Sequence, residues 1–345
     1  MREHMLEAIR LAAAEHPHPN PRVGALVLDA AGRVVGRGAH AGPGTPHAER
    51  LALAEAGDRA RGGTVVVTLE PCAHSGRTPP CTDAVIASGV ARVVAAVGDP
   101  DQRVAGRGFE LLRDRGIEIV AGVAAEEVYA LDPGYFHHRA TGLPLITVKM
   151  AATLDGQSAA SDGRSKWVTG TAAREDAHRL RAGSDAVLVG SGTVIADDPR
   201  LTVRLPGYEG PQPRPVVVAG RSLIPPVAAV FGRDAIVYSA LPVDLPAEVV
   251  VMPGVHGVDL ESMVADMGKR EFLDVLCEGG ATLAGAILRG GLARRLVVYL
   301  AGALALGTGR PMLDGVFASM DQLTPVEITD VVRLGPDLRV DAEVR

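Results

Sequence analysis

The chain has 345 residues, 47% hydrophobic and 22% charged; this length favours two domains, and the composition is that of a globular protein rather than a disordered one. A formal net charge of -6 argues against nucleic acid bound through a basic surface, but leaves room for a small phosphorylated substrate held by one or two arginines. Three cysteines are too few for a disulfide framework, and no apolar run approaches the roughly 20 residues that cross a bilayer.

Met1–Ala14 reads as an amphipathic helix with Arg2, Glu3, Glu7 and Arg10 interspersed. It lacks the charged-then-apolar order of a signal peptide, so the cytoplasm is the expected compartment and no membrane partner is expected. Val23–Asp29 and Val34–Ala39 are predicted strands joined by a turn around Gly32. Thr64–Leu69, Arg92–Gly98 and Ile117–Val120 are short continuous apolar runs, the pattern of strands covered on both faces. Helices fit at His47–Ala56, Thr82–Ser88 and Gly108–Arg115. The first two strands can form a hairpin, whereas the later ones need crossover helices, which together give an α/β/α sandwich.

Pro133, Gly134, Gly142 and Pro144 punctuate Asp132–Leu143, which is predicted to be the boundary between residues 1–143 and 144–345. Beyond it lies a second α/β unit. Its predicted strands are Leu145–Ala151, Ala186–Gly190, Val216–Ala219, Ala235–Tyr238, Leu273–Cys277 and Arg295–Leu300. Helices are predicted at Thr171–Ala182 and Thr282–Arg289, and Leu205–Pro215 is expected to be a surface loop. No internal repeat is visible.

The first constellation is His47-Ala48-Glu49 at a helix start, then Pro71-Cys72 after a strand, then Cys81 at the next helix start. A catalytic zinc takes three protein ligands and a water, and His47, Cys72 and Cys81 form such a set. Helix N-termini and the metal both favour the thiolate. Glu49 is then the acid/base, because a carboxylate beside an acidified water can take its proton and pass it to a leaving amine. This is the logic of zinc deaminases, except that Ala73–Pro80 lengthens the usual spacing between the cysteines. A structural zinc would need a fourth ligand, for which His74 and Cys277 are candidates.

The second unit carries Lys149-Met150-Ala151, Trp167, Gly190-Ser191-Gly192, Asp197-Asp198-Pro199 and Glu278-Gly279-Gly280. A Rossmann fingerprint fails because Ile195 stands where the third glycine belongs. Glu278–Gly280 ends a strand and opens a helix, where backbone amides can meet a phosphate. It can equally be a plain turn, as Asp197–Pro199 can be a capped turn and Trp167 a core residue.

The runs His18-Pro19-Asn20-Pro21-Arg22-Val23-Gly24, Pro46-His47-Ala48-Glu49 and Leu69 to Cys81, with Gly76-Arg77-Thr78-Pro79-Pro80 inside the last, resemble the bifunctional riboflavin-biosynthesis deaminase–reductases. The resemblance continues across essentially the whole chain. It implies a cytidine-deaminase-like N-terminal domain and a dihydrofolate-reductase-like, NADPH-dependent C-terminal domain, in a protein that is usually a homo-oligomer. It further implies that Asn20 bonds a diaminopyrimidinone and that His74 and Arg77 lie by its ribose phosphate. From the residues alone, Asn20 can also be a turn residue between prolines, and Arg77 a solvated charge.

Carried over by position, Ala151, Trp167, Thr193, Asp197, Gly280, Ala281 and Thr282 would contact NADPH. Ser165, Arg181, Leu201, Arg204 and Glu278 would contact substrate, with Lys149 near its reacting end. Arg181 and Arg204 make sense as a phosphate clamp, since guanidinium forks match phosphate oxygens. Ala219-Gly220 and Gly302-Ala303 depart from the family's usual Asp-Ser and Pro-Lys, and Asp101 from its usual asparagine. Two other readings remain. One is a lone deaminase acting on another nucleobase or on RNA, for which the 3% aromatic content is poor support. The other is a zinc-stabilised scaffold without activity.

Overall fold

The computed structural model of the chain describes residues 1–74, 78–101, 105–220, 223–315 and 318–345. The backbone separates into two units, Met1–Thr141 and Gly142–Arg345. No helix among the described residues is long and apolar enough to cross a membrane.

The first unit runs α1 (Arg2–Ala13), β1 (Gly24–Leu28), β2 (Val34–Ala39), α2 (Ala48–Ala56), β3 (Thr64–Leu69), α3 (Cys81–Ser88), β4 (Arg92–Val97), α4 (Arg107–Asp114), β5 (Glu118–Ala121), α5 (Ala125–Leu131) and α6 (Pro133–Thr141). The sheet order is β2-β1-β3-β4-β5, antiparallel at β1 and parallel from β3 to β5. Every residue of β1 is buried, as the unbroken apolar run requires of a strand covered on both faces. Glycines set the layer spacing. A Cβ on Gly24 would stand 2.0 Å from the Ala8 carbonyl oxygen of α1, and one on Gly38 would stand 2.2 Å from that of Ala48 in α2. Gly24 pairs with Ala39 and Ala25 with Gly38, so the two glycines face opposite sides of the sheet. The two helices therefore cover opposite faces, giving the sandwich expected from the sequence. Gly24→Ala is expected to lower the stability of this unit by about 1–3 kcal/mol through forced displacement of α1, read as a lower urea midpoint.

The division of the backbone falls inside the punctuated segment Asp132–Leu143, most of which, Pro133–Thr141, is a helix. Proline fits the first helical position because its missing N–H would have had no partner there. Gly134 and Tyr135 are buried, so packing holds the helix in spite of the glycine.

The second unit runs β6 (Leu145–Thr153), β7 (Gln157–Ala159), α7 (Thr171–Ala182), β8 (Ala186–Gly190), α8 (Ser191–Asp197), β9 (Arg214–Ala219), β10 (Ile236–Ser239), β11 (Glu248–Val251), β12 (Pro253–Gly254), β13 (Gly257–Val258), α9 (Leu260–Lys269), β14 (Asp274–Cys277), α10 (Ala281–Arg289), β15 (Arg295–Ala301), β16 (Arg310–Pro311), β17 (Val326–Leu334) and β18 (Asp337–Val344). Nine strands form one sheet in the order β11-β10-β9-β8-β14-β6-β15-β18-β17. It is parallel from β11 to β15, and the terminal β17–β18 hairpin extends it antiparallel. One core cluster is built on Ile146, Val148, Leu188, Tyr238 and Met263, and another on Val187, Val189, Val217 and Val237. These alternate residues point to opposite sides of the same strands. The carboxyl ends of β8, β14 and β6 lie side by side, where open α/β sheets place their ligands.

Candidate functional site

His47 is the N-cap residue of α2, Cys72 follows β3, and Cys81 opens α3. The fold brings them together. The His47 Nδ1 atom lies 3.2 Å from Cys81 Sγ and 3.5 Å from Cys72 Sγ. Zinc held at about 2.0–2.1 Å from nitrogen and about 2.3 Å from sulfur sets tetrahedral edges of roughly 3.5 Å, so the three donors are spaced for one ion. Among the described residues no fourth protein ligand joins this group; His74 is exposed, and Cys277 is buried at the end of β14. Three donors and an open position fit a catalytic metal rather than a structural one.

The surroundings prepare these ligands. Thr78 Oγ1 lies 3.1 Å from His47 Nε2, and accepting that N–H fixes the tautomer that leaves Nδ1 free for a metal. The Cys81 backbone N–H donates to Cys72 Sγ. Hydrogen bonds from Cys81 and His47 hold the Cys72 thiol down despite burial, and the same pairing pushes Cys81 up, so one proton lies between two sulfurs that a metal would hold as thiolates.

Glu49 lies in the first turn of α2 and is 3% exposed. Its Oε2 is buried without a hydrogen-bond partner among the described residues, and burial pushes the carboxyl up to about 7. A carboxylate oxygen left unsatisfied beside an open metal position is placed to receive a proton from a ligand of that metal.

Several contributors are absent from the sequence reading. His40, buried just after β2, stacks edge-on against His47 at 5.0 Å between centroids. Its Nδ1 faces the Pro46 carbonyl at 3.3 Å, which can only accept, so Nε2 accepts from Asn20 Nδ2 at 2.8 Å. That bond engages the Asn20 amide nitrogen and leaves Oδ1 as the accepting end of the group. Glu70 accepts from the backbone N–H groups of Asp99, Gly106, Gly108 and Phe109, which anchors the start of α4 to the end of β3. Only their positions beside the Pro46-His47 and Pro71-Cys72 runs signalled either residue. Arg77 lies outside the described residues.

In the second unit Lys149 of β6 sits over the Tyr299 ring, 5.7 Å from its centroid. The Tyr299 hydroxyl donates to Asp176 at 2.7 Å, and Arg339 donates to the same carboxylate at 3.0 Å. Arg181 Nε and Nη2 each donate to Glu278 at 2.7 Å, while its Nη1 donates to the Thr202 carbonyl. The expected arginine clamp is therefore asymmetric. The Arg181 fork is closed on Glu278, whereas Arg204 carries only a 3.4 Å contact to the Thr202 hydroxyl. The Leu201 side chain is 2% exposed in a core cluster, so any contact it makes with substrate runs through its backbone.

His178, missed in the sequence, lies one turn before Arg181 on α7 and accepts the Arg204 backbone N–H at Nδ1, 3.4 Å away. Burial together with Arg181 and Arg204 pushes it down to about 4, which leaves a neutral ring with its proton on Nε2.

Ser165 and Trp167 line a cleft of about 440 Å³ with Thr153 and Ala303. Ala151 lies on β6, two residues before Thr153. Lys166 reaches Asp197 at the end of α8, 3.6 Å away. A Cβ on Gly280 would meet Thr193 Oγ1 at 3.8 Å, which places the starts of α8 and α10 together. Ala281 opens α10, and Thr282 Oγ1 donates to Asp314 at 3.2 Å. At one departure from the family pattern, the Gly220 N–H donates to Ser191 Oγ, and a Cβ there would stand 2.9 Å from that oxygen.

Comparison with known proteins places each unit. Residues 1–97 match the cytidine and deoxycytidylate deaminase zinc-binding region, and residues 144–340 match the RibD C-terminal domain. The chain is similar to riboflavin biosynthesis protein RibD of Escherichia coli K12, 38% identical over 97% of each chain. It is also similar to the solved structure of Acinetobacter baumannii RibD (form 1), at 35% identity and TM-score 0.92, covering 100% of this chain and 98% of that one. A third relative is the solved diaminohydroxyphosphoribosylaminopyrimidine deaminase/5-amino-6-(5-phosphoribosylamino)uracil reductase of Thermotoga maritima. It shows 33% identity and TM-score 0.90, again covering 100% and 98%. Because each likeness spans both units, the reading of a lone deaminase with an unrelated appended module does not hold.

Proposed function

This chain belongs to the RibD family of bifunctional riboflavin-biosynthesis enzymes, each a zinc deaminase joined to an NADPH-dependent reductase, and we propose that it carries out both reactions on one phosphorylated pyrimidine. The substrate is 2,5-diamino-6-(5-phosphoribosylamino)pyrimidin-4-one, which is deaminated and then reduced in its ribosyl side chain to the ribityl form. One observation carries the reading: a buried Glu49 oxygen without a partner, beside three donors spaced for one metal.

In the first unit His47, Cys72 and Cys81 hold zinc, and Asn20 presents its Oδ1 to the pyrimidine. His74 and Arg77 serve the ribose phosphate. Zinc supplies Lewis acidity and lowers the pKa of its water toward ~7. Glu49 removes a proton from the attacking water at its carboxylate and delivers it to the amino nitrogen. A C–O bond forms, the C–N bond breaks, and ammonia leaves.

In the second unit bound NADPH would supply a hydride, being oxidised to NADP+; the sugar carbon next to the amino nitrogen gains the C–H bond, its bond to the ring oxygen breaks, and that oxygen takes a proton from solvent. Ala151, Trp167, Thr193, Asp197 and the Gly280–Thr282 turn hold the cofactor. Ser165, Arg204, the Leu201 backbone and the Arg181–Glu278 pair hold the phosphorylated product of the first step, and Lys149 sits near its reacting end. These residues position and orient reactants, and the redox chemistry belongs to the cofactor. The acidic balance of the chain supports a small-molecule partner, without nucleic acid or membrane, for a homo-oligomer working in the cytoplasm.

The test follows ammonia and then NADPH oxidation on the pyrimidine substrate. Ammonia without NADPH oxidation would remove the second half of the proposal. Chelation separates the halves from the other side. Dialysis against a zinc chelator is expected to abolish ammonia release, and NADPH oxidation on pre-deaminated substrate is expected to persist at near its full rate.

A further inference from the structure

Trp167 is the only tryptophan of the chain, and 70% of it is exposed. It lines the 440 Å³ cleft, and Arg174 does not. The Arg174 guanidinium lies over the indole, 4.5 Å from the ring centroid, which is within the range of a cation–π contact. The same guanidinium donates through Nη1 to the Thr169 carbonyl at 2.6 Å and through Nη2 to Thr171 Oγ1 at 3.0 Å. Arg174 itself is fixed on α7, and its backbone N–H bonds to the Gly170 carbonyl. Gly170 in turn donates to Asp337 of β18 at 2.6 Å. One side chain thus ties a large exposed ring and the backbone after it to a helix anchored on the sheet.

We infer that Arg174 is a positioning residue of the reductase, holding the Trp167 indole in place as a wall of the cleft that receives the reduced nicotinamide cofactor. This rests on the proposed assignment of Trp167 to the cofactor, with Ser165 of the same cleft assigned to substrate. An exposed indole on a loop has rotamers to lose when a ligand settles against it, and a ring already held by a planar cation has fewer to lose. An ornamental surface pair would leave cofactor affinity unchanged.

Because Trp167 is alone, its fluorescence reports on this position without interference. Its emission also overlaps NADPH absorption, so bound cofactor quenches it. In Arg174→Met the free protein is expected to show an altered Trp167 emission and about twofold stronger acrylamide quenching. Its Kd for NADPH, from quenching of Trp167, is expected to rise about 3- to 30-fold, the range such a contact supports. Arg174→Lys keeps the charge without the fork, and it is expected to fall between Met and the parent protein. The loss should appear in cofactor affinity rather than in kcat at saturating NADPH, whose unchanged value is the control for folding of the second unit, as unchanged ammonia release is for the first.

An unchanged NADPH Kd in Arg174→Met, in a parent protein whose Trp167 is quenched by NADPH, overturns the role given to Arg174 and leaves the cofactor site standing. A fall in kcat with Kd unchanged overturns it as well. If NADPH fails to quench Trp167 in the parent protein, the placement of the cofactor fails first, and the inference goes with it.

Discussion

Glu49→Gln is expected to lower ammonia release by about 100- to 10,000-fold while the protein keeps its zinc. The substitution replaces one carboxylate oxygen by an amide nitrogen of nearly the same size, so α2 and its N-cap His47 have no steric reason to move. What it removes is the ability to accept a proton at Oε2, a buried atom without a partner among the described residues. The proposed metal donors are His47 Nδ1 and the two sulfurs, set by the N-cap of α2, the turn after β3 and the start of α3; the Glu49 carboxyl also bonds the Cys81 side chain, a contact that the glutamine amide can keep. Zinc content measured by atomic emission should therefore match the parent protein. NADPH oxidation on pre-deaminated substrate should match it too, because that chemistry is assigned to other residues. Turnover surviving in Glu49→Gln would mean that another group moves the proton. Loss of zinc along with activity would instead mean that Glu49 supports the metal site.

The grouping of His47, Cys72 and Cys81 with Glu49 was legible in the sequence because the zinc deamination proposed for them calls for particular residue types in a fixed order on a strand and two helix starts. What supports them was not. Thr78 bonds His47 across 31 positions, and Asn20 meets His40 across 20. Neither residue type is unusual for a loop, and only the fold reveals the partner. The same holds in the second unit, where Tyr299 bonds Asp176 at a separation of 123 residues. Periodicity located the buried strands well, because a strand covered on both faces must be apolar throughout. It gave no sign of the β17–β18 hairpin. Every residue from Val326 to Arg333 is exposed, so alternation there reports no core. The helix inside the boundary segment was not legible, since Pro133, a residue that interrupts helices, also begins one.

The Arg181–Glu278 pair should show the second large effect, and on two properties at once. Side-chain exposures are 14% and 10%, and both carboxylate oxygens are engaged by the fork. Glu278→Gln leaves the guanidinium buried, with Lys149 nearby and only neutral acceptors, the Thr202 carbonyl and one amide oxygen, while the new amide NH2 faces an arginine donor. Removing one partner of such a pair costs about 3–5 kcal/mol. Trp167 emission, which belongs to the second unit, can follow its unfolding separately from that of the first. Reductase activity should fall with stability, because Arg181 loses the carboxylate that orients it.

The pH dependence carries a sign that tests the cause. Burial alone would raise the Glu278 carboxyl, but Lys149 and Arg181 overcome it and hold it down to about 2, below the ordinary 4.5. The stabilisation is then fully present above about pH 4.5 and is lost as the pH falls toward 2; Glu278→Gln should lack that part of the acid transition. The double replacement Arg181→Met with Glu278→Leu discriminates further. Two apolar groups leave no buried charge unpaired, so stability is expected to recover while reductase activity does not. If activity returned together with stability, the pair would be scaffolding alone, and the phosphate would be held by Arg204 and the groups around it.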